Sequence, residues 1–260
     1  MNCSHSHERI LNFAVTTGEL MMKSGAETYR VEDTISRILM KHNFESVDTF
    51  VVPTGIMVTI SAEASVPTTK VVRVKGRTSR LDKIEHINQL SRDFVDGTIS
   101  LESAETKLKE IEKLEGYGDI ELILWTAISC GFFSIMFNGK SPEFVISIFI
   151  GFLTGYLKLL LTRRQIINFF VLFLCSLFIG FGVMLIRFIS GNTSSLEPII
   201  IGCIMPLLPG VAFTNAVRDV IGDELLSGIA RGAEALIIAV AIASGIGVSL
   251  GISVWLGGVL

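Results

Sequence analysis

In the first half of the chain, apolar positions switch between a helical and a strand period. Between Glu8 and Lys23, residues Ile10, Phe13, Ala14, Leu20 and Met21 form a helical stripe that Gly25 interrupts. A second helix follows, with Val31, Ile35, Ile38 and Leu39 on one face. The runs Val47–Val52 and Ile56–Ser61 flank Pro53-Thr54-Gly55, which predicts strand–turn–strand, and Lys70–Val74 is a third candidate strand. Helices over Leu81–Val95 and Leu101–Leu114 close this part. In the last, Leu101, Ala104, Leu108 and Ile111 share a face, with Glu and Lys elsewhere.

Near Tyr117 the pattern changes. Of the first 118 residues 32 are charged; of the 142 that follow only 15 are, and these sit mostly between long apolar runs. A bilayer core about 30 Å thick needs about 20 apolar residues per helix, whereas a water-soluble domain has no such need. Spans are predicted at about Leu122–Phe137, Phe144–Leu161, Ile166–Ile186, Pro198–Val217 and Ala233–Leu256, with Ser190–Glu197 a polar connection. The expected fold is an α+β cytosolic N-terminal domain over 1–118, with three or so strands and four helices. An all-α polytopic membrane domain of about five transmembrane helices follows over 119–260.

Basic residues orient the spans. Lys158, Arg163 and Arg164 crowd the turn between spans two and three, while the flanking turns hold only Lys140 and Arg187. That turn and the N-terminal domain are therefore expected in the cytoplasm, with the chain multi-pass in the cytoplasmic (inner) membrane. Residues 1–16 are polar and lack the apolar core of a signal peptide, which agrees.

Composition removes several function classes. The formal net charge is −3, and the N-terminal part holds 15 Lys/Arg against 17 Asp/Glu, so no nucleic-acid surface is expected. Cys130, Cys175 and Cys203 lie in apolar runs and Cys3 in a tail, which leaves no disulfide framework and no Cys-x-x-Cys metal site. No metal or other cofactor is expected. No histidine follows His86, which argues against a membrane-embedded hydrolase and against catalytic residues.

The segment Pro206–Glu234 departs from a plain anchor. Pro206 and Pro209 free backbone carbonyls within one span, which is tolerated where protein or a wet cavity satisfies them. Gly202, Pro206 and Gly210 fall four apart and give a thin face. Asn215, Asp219, Asp223, Ser227 and Arg231 also recur every four residues, with Arg218 and Glu234 nearby. Two carboxylates at i,i+4 are comfortable only with a cation, a ligand or a proton between them. Gly222 and Gly228 allow the helix to break into pieces whose ends bind ions. Composition alone leaves two readings open: a solvated loop at the headgroups, or a transport site. For Gly25-Ala26-Glu27-Thr28, with Tyr29 and Arg30, the readings are a helix–helix break with an acidic N-terminus or a cytosolic gate. Gly151/Gly155 and Gly247/Gly251 are GxxxG pairs, read as packing seams within the bundle or against another subunit.

Residues Ser24 through Thr34, together with Pro209-Gly210 through Asn215, Arg218-Asp219, Gly222-Asp223 and Ser227 through Gly232, resemble the threonine/serine exporter family. The closer likeness is to its stand-alone N-terminal-half subunits, over residues 8–258. The resemblance implies secondary export of small amino acids or, in split two-subunit members, of dicarboxylates such as succinate. It also implies a separate small membrane protein supplying the second half, and hence an oligomer. Asn215, Arg218, Asp219, Asp223 and Arg231 match the motif, and Arg is the natural carboxylate clamp.

The expected function is a subunit of a non-ATP exporter of small polar metabolites, driven by the proton motive force. One charge crossing 100 mV is worth about 2.3 kcal/mol, roughly a 50-fold concentration ratio. The expected substrate or ion pathway comprises Pro206, Pro209, Gly210, Asn215, Arg218, Asp219, Asp223, Ser227, Arg231 and Glu234, with Gly25, Glu27, Thr28 and Arg30 as a gate. The alternative is a membrane-anchored sensor or regulatory scaffold without transport.

Overall fold

The structure, a computed structural model, describes residues 2–42, 44–62, 66–76, 78–189 and 195–255; the side chains of 2–6 and 187 lie outside that description. The chain is mostly helical with one small sheet, and it divides into two compact units. One holds Met1–Gly116 and Val211–Gly232; the other holds Tyr117–Gly210 and Ala233–Leu260.

The first unit starts with α1 (Asn2–Lys23), α2 (Thr28–Met40) and an antiparallel sheet of β1 (Ser46–Val52), β2 (Gly55–Ser61) and β3 (Thr68–Arg73), in that order. Val52 faces Gly55, so Pro53 and Thr54 alone make the hairpin loop. On central β2, Ile56, Val58 and Ile60 point inward and alternate with more exposed residues, the period-2 pattern of a one-sided sheet. They meet Leu11, Phe13 and Val15 of α1 and Ile35 and Ile38 of α2 in one core. Ile84, Ile87 and Phe94 of α3 (Leu81–Val95) join that core, as do Ala104, Leu108 and Ile111 of α4 (Leu101–Lys113). Ser100 caps α4 by accepting from the Ser103 N–H at 3.3 Å. The three strands and four helices expected are all present. The helical period of α1 continues past Glu8 to Asn2, so the backbone of Cys3 is helical and not part of a tail.

The second unit contains α5 (Asp119–Met136), α6 (Ser141–Arg163), α7 (Asn168–Ile189), α8 (Leu196–Ile204) and a short 3-10 turn, Met205–Leu207. Most of α10 (Leu225–Trp255) belongs to it as well. Cys130, Ile150, Val171, Cys175, Ile179, Ile199 and Ala241 form its core. Among the described residues four helices are long and apolar enough to cross a membrane: α5, α6, α7 and α10. A fifth crossing results if α8 and α9 (Gly210–Ile221) are one broken span. Helical hydrogen bonding stops between Leu207 and Gly210, as two prolines require, so the proline-bent span expected over Pro198–Val217 is two separate helices. The last helix starts at Leu225, well before Ala233; at about 46 Å it exceeds the hydrocarbon thickness. Of the polar connection Ser190–Glu197, residues 190–194 lie outside the described residues.

The two GxxxG pairs behave differently. A Cβ on Gly151 would meet Cys130 of α5 at 2.8 Å and one on Gly155 would meet Ile123, so that pair is a seam within the bundle. Among the described residues nothing within 4 Å would meet a Cβ on Gly247 or Gly251.

Candidate functional site

The turn between α1 and α2 has a left-handed corner. Gly25 has φ +92°, and the Gly25 and Ala26 N–H groups donate to Met22 O and Met21 O, both at 3.1 Å. That is the paired hydrogen bonding of a Schellman C-cap, in which the left-handed position favours glycine. A Cβ there would also come 3.0 Å from Thr78 O. The corner turns the carbonyls of Gly25 and Ala26 outward, and α2 begins immediately with Glu27 at its N-cap. The Glu27 side chain does not cap the helix, so the first backbone N–H, of Thr28, needs another acceptor.

The acceptor and two further donors come from the other end of the chain, within the same unit. Asn215 Nδ2 donates to Gly25 O at 3.1 Å, and Arg231 Nη2 donates to Ala26 O at 2.7 Å. Asp219 accepts from the Thr28 N–H at 3.3 Å and from Thr28 Oγ1 at 3.4 Å, standing in for the missing cap. Arg231 Nε pairs with Asp219 Oδ2 at 3.0 Å. Arg218 Nη1 donates to Glu27 Oε1 at 2.7 Å, and Arg30 Nη1 to Glu27 Oε2 at 3.2 Å. Asp219 is fully buried, and Thr28, Glu27, Asn215 and Arg231 are nearly so. Burial excludes a solvated loop for Asn215, Asp219 and Arg231. The Arg218 side chain is more than half exposed.

Gly228 lets α9 and α10 approach closely enough to present these groups together: a Cβ on it would lie 3.0 Å from Ala216 O and against Val220. The opposite face of this helical corner is apolar and exposed, with Phe213, Val217, Ile221, Leu225, Leu226 and Ile229 outward. Polar-in and apolar-out is the reverse of a water-soluble surface helix.

Burial pushes the Glu27 carboxyl upward. Its own backbone N–H, Arg218 and Arg30 more than offset that, so the group ends below its ordinary value.

The remaining site residues are spread out. Pro206 lies in the 3-10 turn, Pro209 follows it, and Gly210 opens α9. Ser227 is buried on α10 with its hydroxyl unpaired among the described residues, and Glu234 is exposed further along α10. The four-residue row from Asn215 to Arg231 is not continuous, because the helix stops after Ile221. Asp223 has φ +64°, with Asp223 N–H to Val220 O at 3.3 Å and Glu224 N–H to Asp219 O at 2.8 Å. It is the left-handed residue of a second Schellman cap, so Asp219 and Asp223 are not an i,i+4 pair. Asparagine tolerates that conformation and valine does not. Asp223→Asn is expected to change stability by under about 0.5 kcal/mol and Asp223→Val to cost about 1–3 kcal/mol in thermal-shift measurements.

Sequence reasoning singled out both segments but missed that they touch. It also passed over Glu143, Ser147, Thr154 and Ser176, polar residues inside apolar spans that are almost wholly buried. Their signal was available, because polar side chains at membrane depth are costly.

A sequence profile for the family described as "Putative threonine/serine exporter" matches residues 12–253. The "Probable succinate transporter subunit YjjP" of Escherichia coli (strain K12) is 23% identical over 251 residues, covering 95% of this chain and 94% of its own. A protein of the same description from Klebsiella aerogenes is 23% identical over 262 residues, 98% of each chain. No solved structure matches the chain significantly.

Proposed function

The chain belongs to the threonine/serine exporter family, and on that premise we propose that it is one subunit of a secondary exporter of small polar metabolites. The substrates are threonine/serine-type amino acids or dicarboxylates such as succinate, and the proton motive force drives their export across the cytoplasmic membrane. Family membership supports reading the chain as a membrane transport protein and not an enzyme. The relatives' description as transporter subunits supports a separate small membrane protein as partner, and their printed substrate supports a dicarboxylate.

In this reading residues 1–118 form the cytosolic domain and 119–260 the membrane domain, with the Arg163–Arg164 turn cytoplasmic. Pro206 through Glu234 belong to the substrate or ion pathway, and Gly25, Glu27, Thr28 and Arg30 to its cytosolic gate. The observation that carries the reading is the buried clasp in which Asp219, Arg231, Asn215 and Arg218 hold the Gly25–Thr28 turn. A mere anchor has no need of two buried or half-buried ion pairs, and breakable polar contacts suit a gate that must open and close.

The test is export of radiolabelled threonine, serine and succinate from cells expressing the chain with and without its partner. Export of one substrate at least tenfold above the chain alone is expected. Equal export in both would leave the scaffold reading. Cysteine in place of Arg164 is expected to resist membrane-impermeant reagents added outside; labelling there would invert the orientation.

A further inference from the structure

Helices α2 and α3 pack against each other with their apolar faces in the core of the first unit, and their polar flanks meet beside it. On α2 that flank holds Arg30, Asp33, Thr34 and Arg37; on α3 it holds Asn88, Ser91 and Arg92. Steps of three and four residues place each set on one side of its helix. With Asp96 at the end of α3, the two flanks line a cleft of about 360 Å³, a volume in the range of small-molecule sites.

The lining is rich in donors. Thr34 and Ser91 are its buried members, and each hydroxyl turns back to its own helix, to Arg30 O at 2.8 Å and Asn88 O at 2.9 Å. Around them stand three guanidinium groups against two carboxylates. Arg37 Nε donates to Asp33 at 2.8 Å, and Arg92 Nη2 donates to the neutral Gln89 side chain at 2.7 Å. Each of these contacts uses one of the five N–H donors in a planar guanidinium fork.

Arg30 ties this cleft to the clasp. Its Nη1 donates to Glu27 Oε2 at 3.2 Å, a longer contact than the 2.7 Å bond from Arg218 to the other carboxylate oxygen. Arg30 therefore holds Glu27 less firmly than Arg218 does. The Arg30 side chain is partly exposed, whereas the Glu27 side chain is nearly buried. An anion in the cleft attracts the same guanidinium from the other side, so Glu27 and the anion compete for one positive charge.

We infer that the α2–α3 cleft binds a small dianion, of dicarboxylate or phosphate type, in competition with Glu27 for Arg30. Arg37 and Arg92 supply the remaining positive charge, and the Asn88 amide a further donor. A dianion matches three guanidinium groups set on two helices, whereas the single carboxylate of an amino acid matches one fork. By reciprocity, an anion that Glu27 weakens must itself weaken the Arg30–Glu27 pair. The site stands on the first unit alone; its effect on export rests on the gate reading above.

Calorimetric titration of the full chain in detergent with succinate, inorganic phosphate and threonine tests the site. Saturable binding of succinate or phosphate is expected, tighter than that of threonine, and the better of the two identifies the type of dianion. Arg37→Met and Arg92→Met should each weaken it at least fivefold, with unchanged melting of the unliganded chain. Lys107→Met, in the neighbouring cleft that Arg92 also borders, should leave it unchanged. Glu27→Gln, which removes the competing carboxylate, should tighten binding at least threefold. Absence of saturable binding, tighter binding of threonine, or an affinity indifferent to both arginine variants overturns the site. An affinity unchanged by Glu27→Gln overturns the competition for Arg30. Binding as expected in a chain that exports nothing with its partner sinks the transport reading and leaves the cleft standing.

Discussion

Replacing Arg231 with methionine is expected to destabilise the first unit by about 3–5 kcal/mol, the effect of leaving a buried carboxylate without its cation. Asp219 has no access to water, and Arg231 is the cation paired with it. The substitution also removes the donor to Ala26 O, so a buried carbonyl loses a partner at the same time. In a thermal-shift experiment on the full chain in detergent, the melt should fall by roughly 10 °C. The pair Asp219→Asn with Arg231→Met removes both charges and keeps an acceptor for the Thr28 N–H. It should lie within about 2 kcal/mol of the native protein. If the double variant melts below the single one, or Arg231→Met costs under about 1 kcal/mol, the buried pair is not what fastens the turn to α9 and α10.

How much of this was legible depends on the range of each interaction. The stripe Leu81–Val95 became α3 with the same ends, because the helical period and the burial of Ile84, Ile87 and Phe94 are properties of a short window. Membrane-crossing length was equally readable, since it needs only composition along the run. The break near Pro206 and Pro209 was legible as two prolines that bend the span, although its extent, a stop between two separate helices, was not. At Asp223 only the possibility of a break was visible, from the neighbouring Gly222, and not the left-handed residue itself. Glycine would have announced a left-handed position, whereas aspartate in a four-residue row reads as helix. The Glu27–Arg218 contact joins residues 191 apart, and a single sequence carries no record of such pairing. The buried polar residues of α6, Glu143, Ser147 and Thr154, could have been found from their spacing, but averaging hydropathy over a span hides three residues on one face.

Reversing Glu27 to arginine is expected to lower export by roughly 100-fold or more, whatever the substrate, if the clasp gates transport. The new side chain would face Arg218 and Arg30, two guanidinium groups that now converge on one carboxylate. Like charges brought together at a contact cost several kcal/mol, which at about 1.4 kcal/mol per tenfold gives that factor. Glu27→Arg combined with Arg218→Glu restores opposite charges and should recover export to within about tenfold of wild type. A scaffold predicts no loss with either variant, and a general folding defect predicts no recovery in the double one. The native pair also limits where a coupling proton can act. Because the folded Glu27 carboxyl titrates below its ordinary value near 4.5, its contribution is complete above that pH. That contribution is lost only as pH falls through the depressed value. At cytosolic pH the group therefore stays ionised, and Glu27→Gln should alter the acid limb of stability without shifting the pH dependence of export near neutrality. A shift there would make Glu27 part of the proton path itself, and the clasp would then be read as a titrating relay instead of a fixed electrostatic latch.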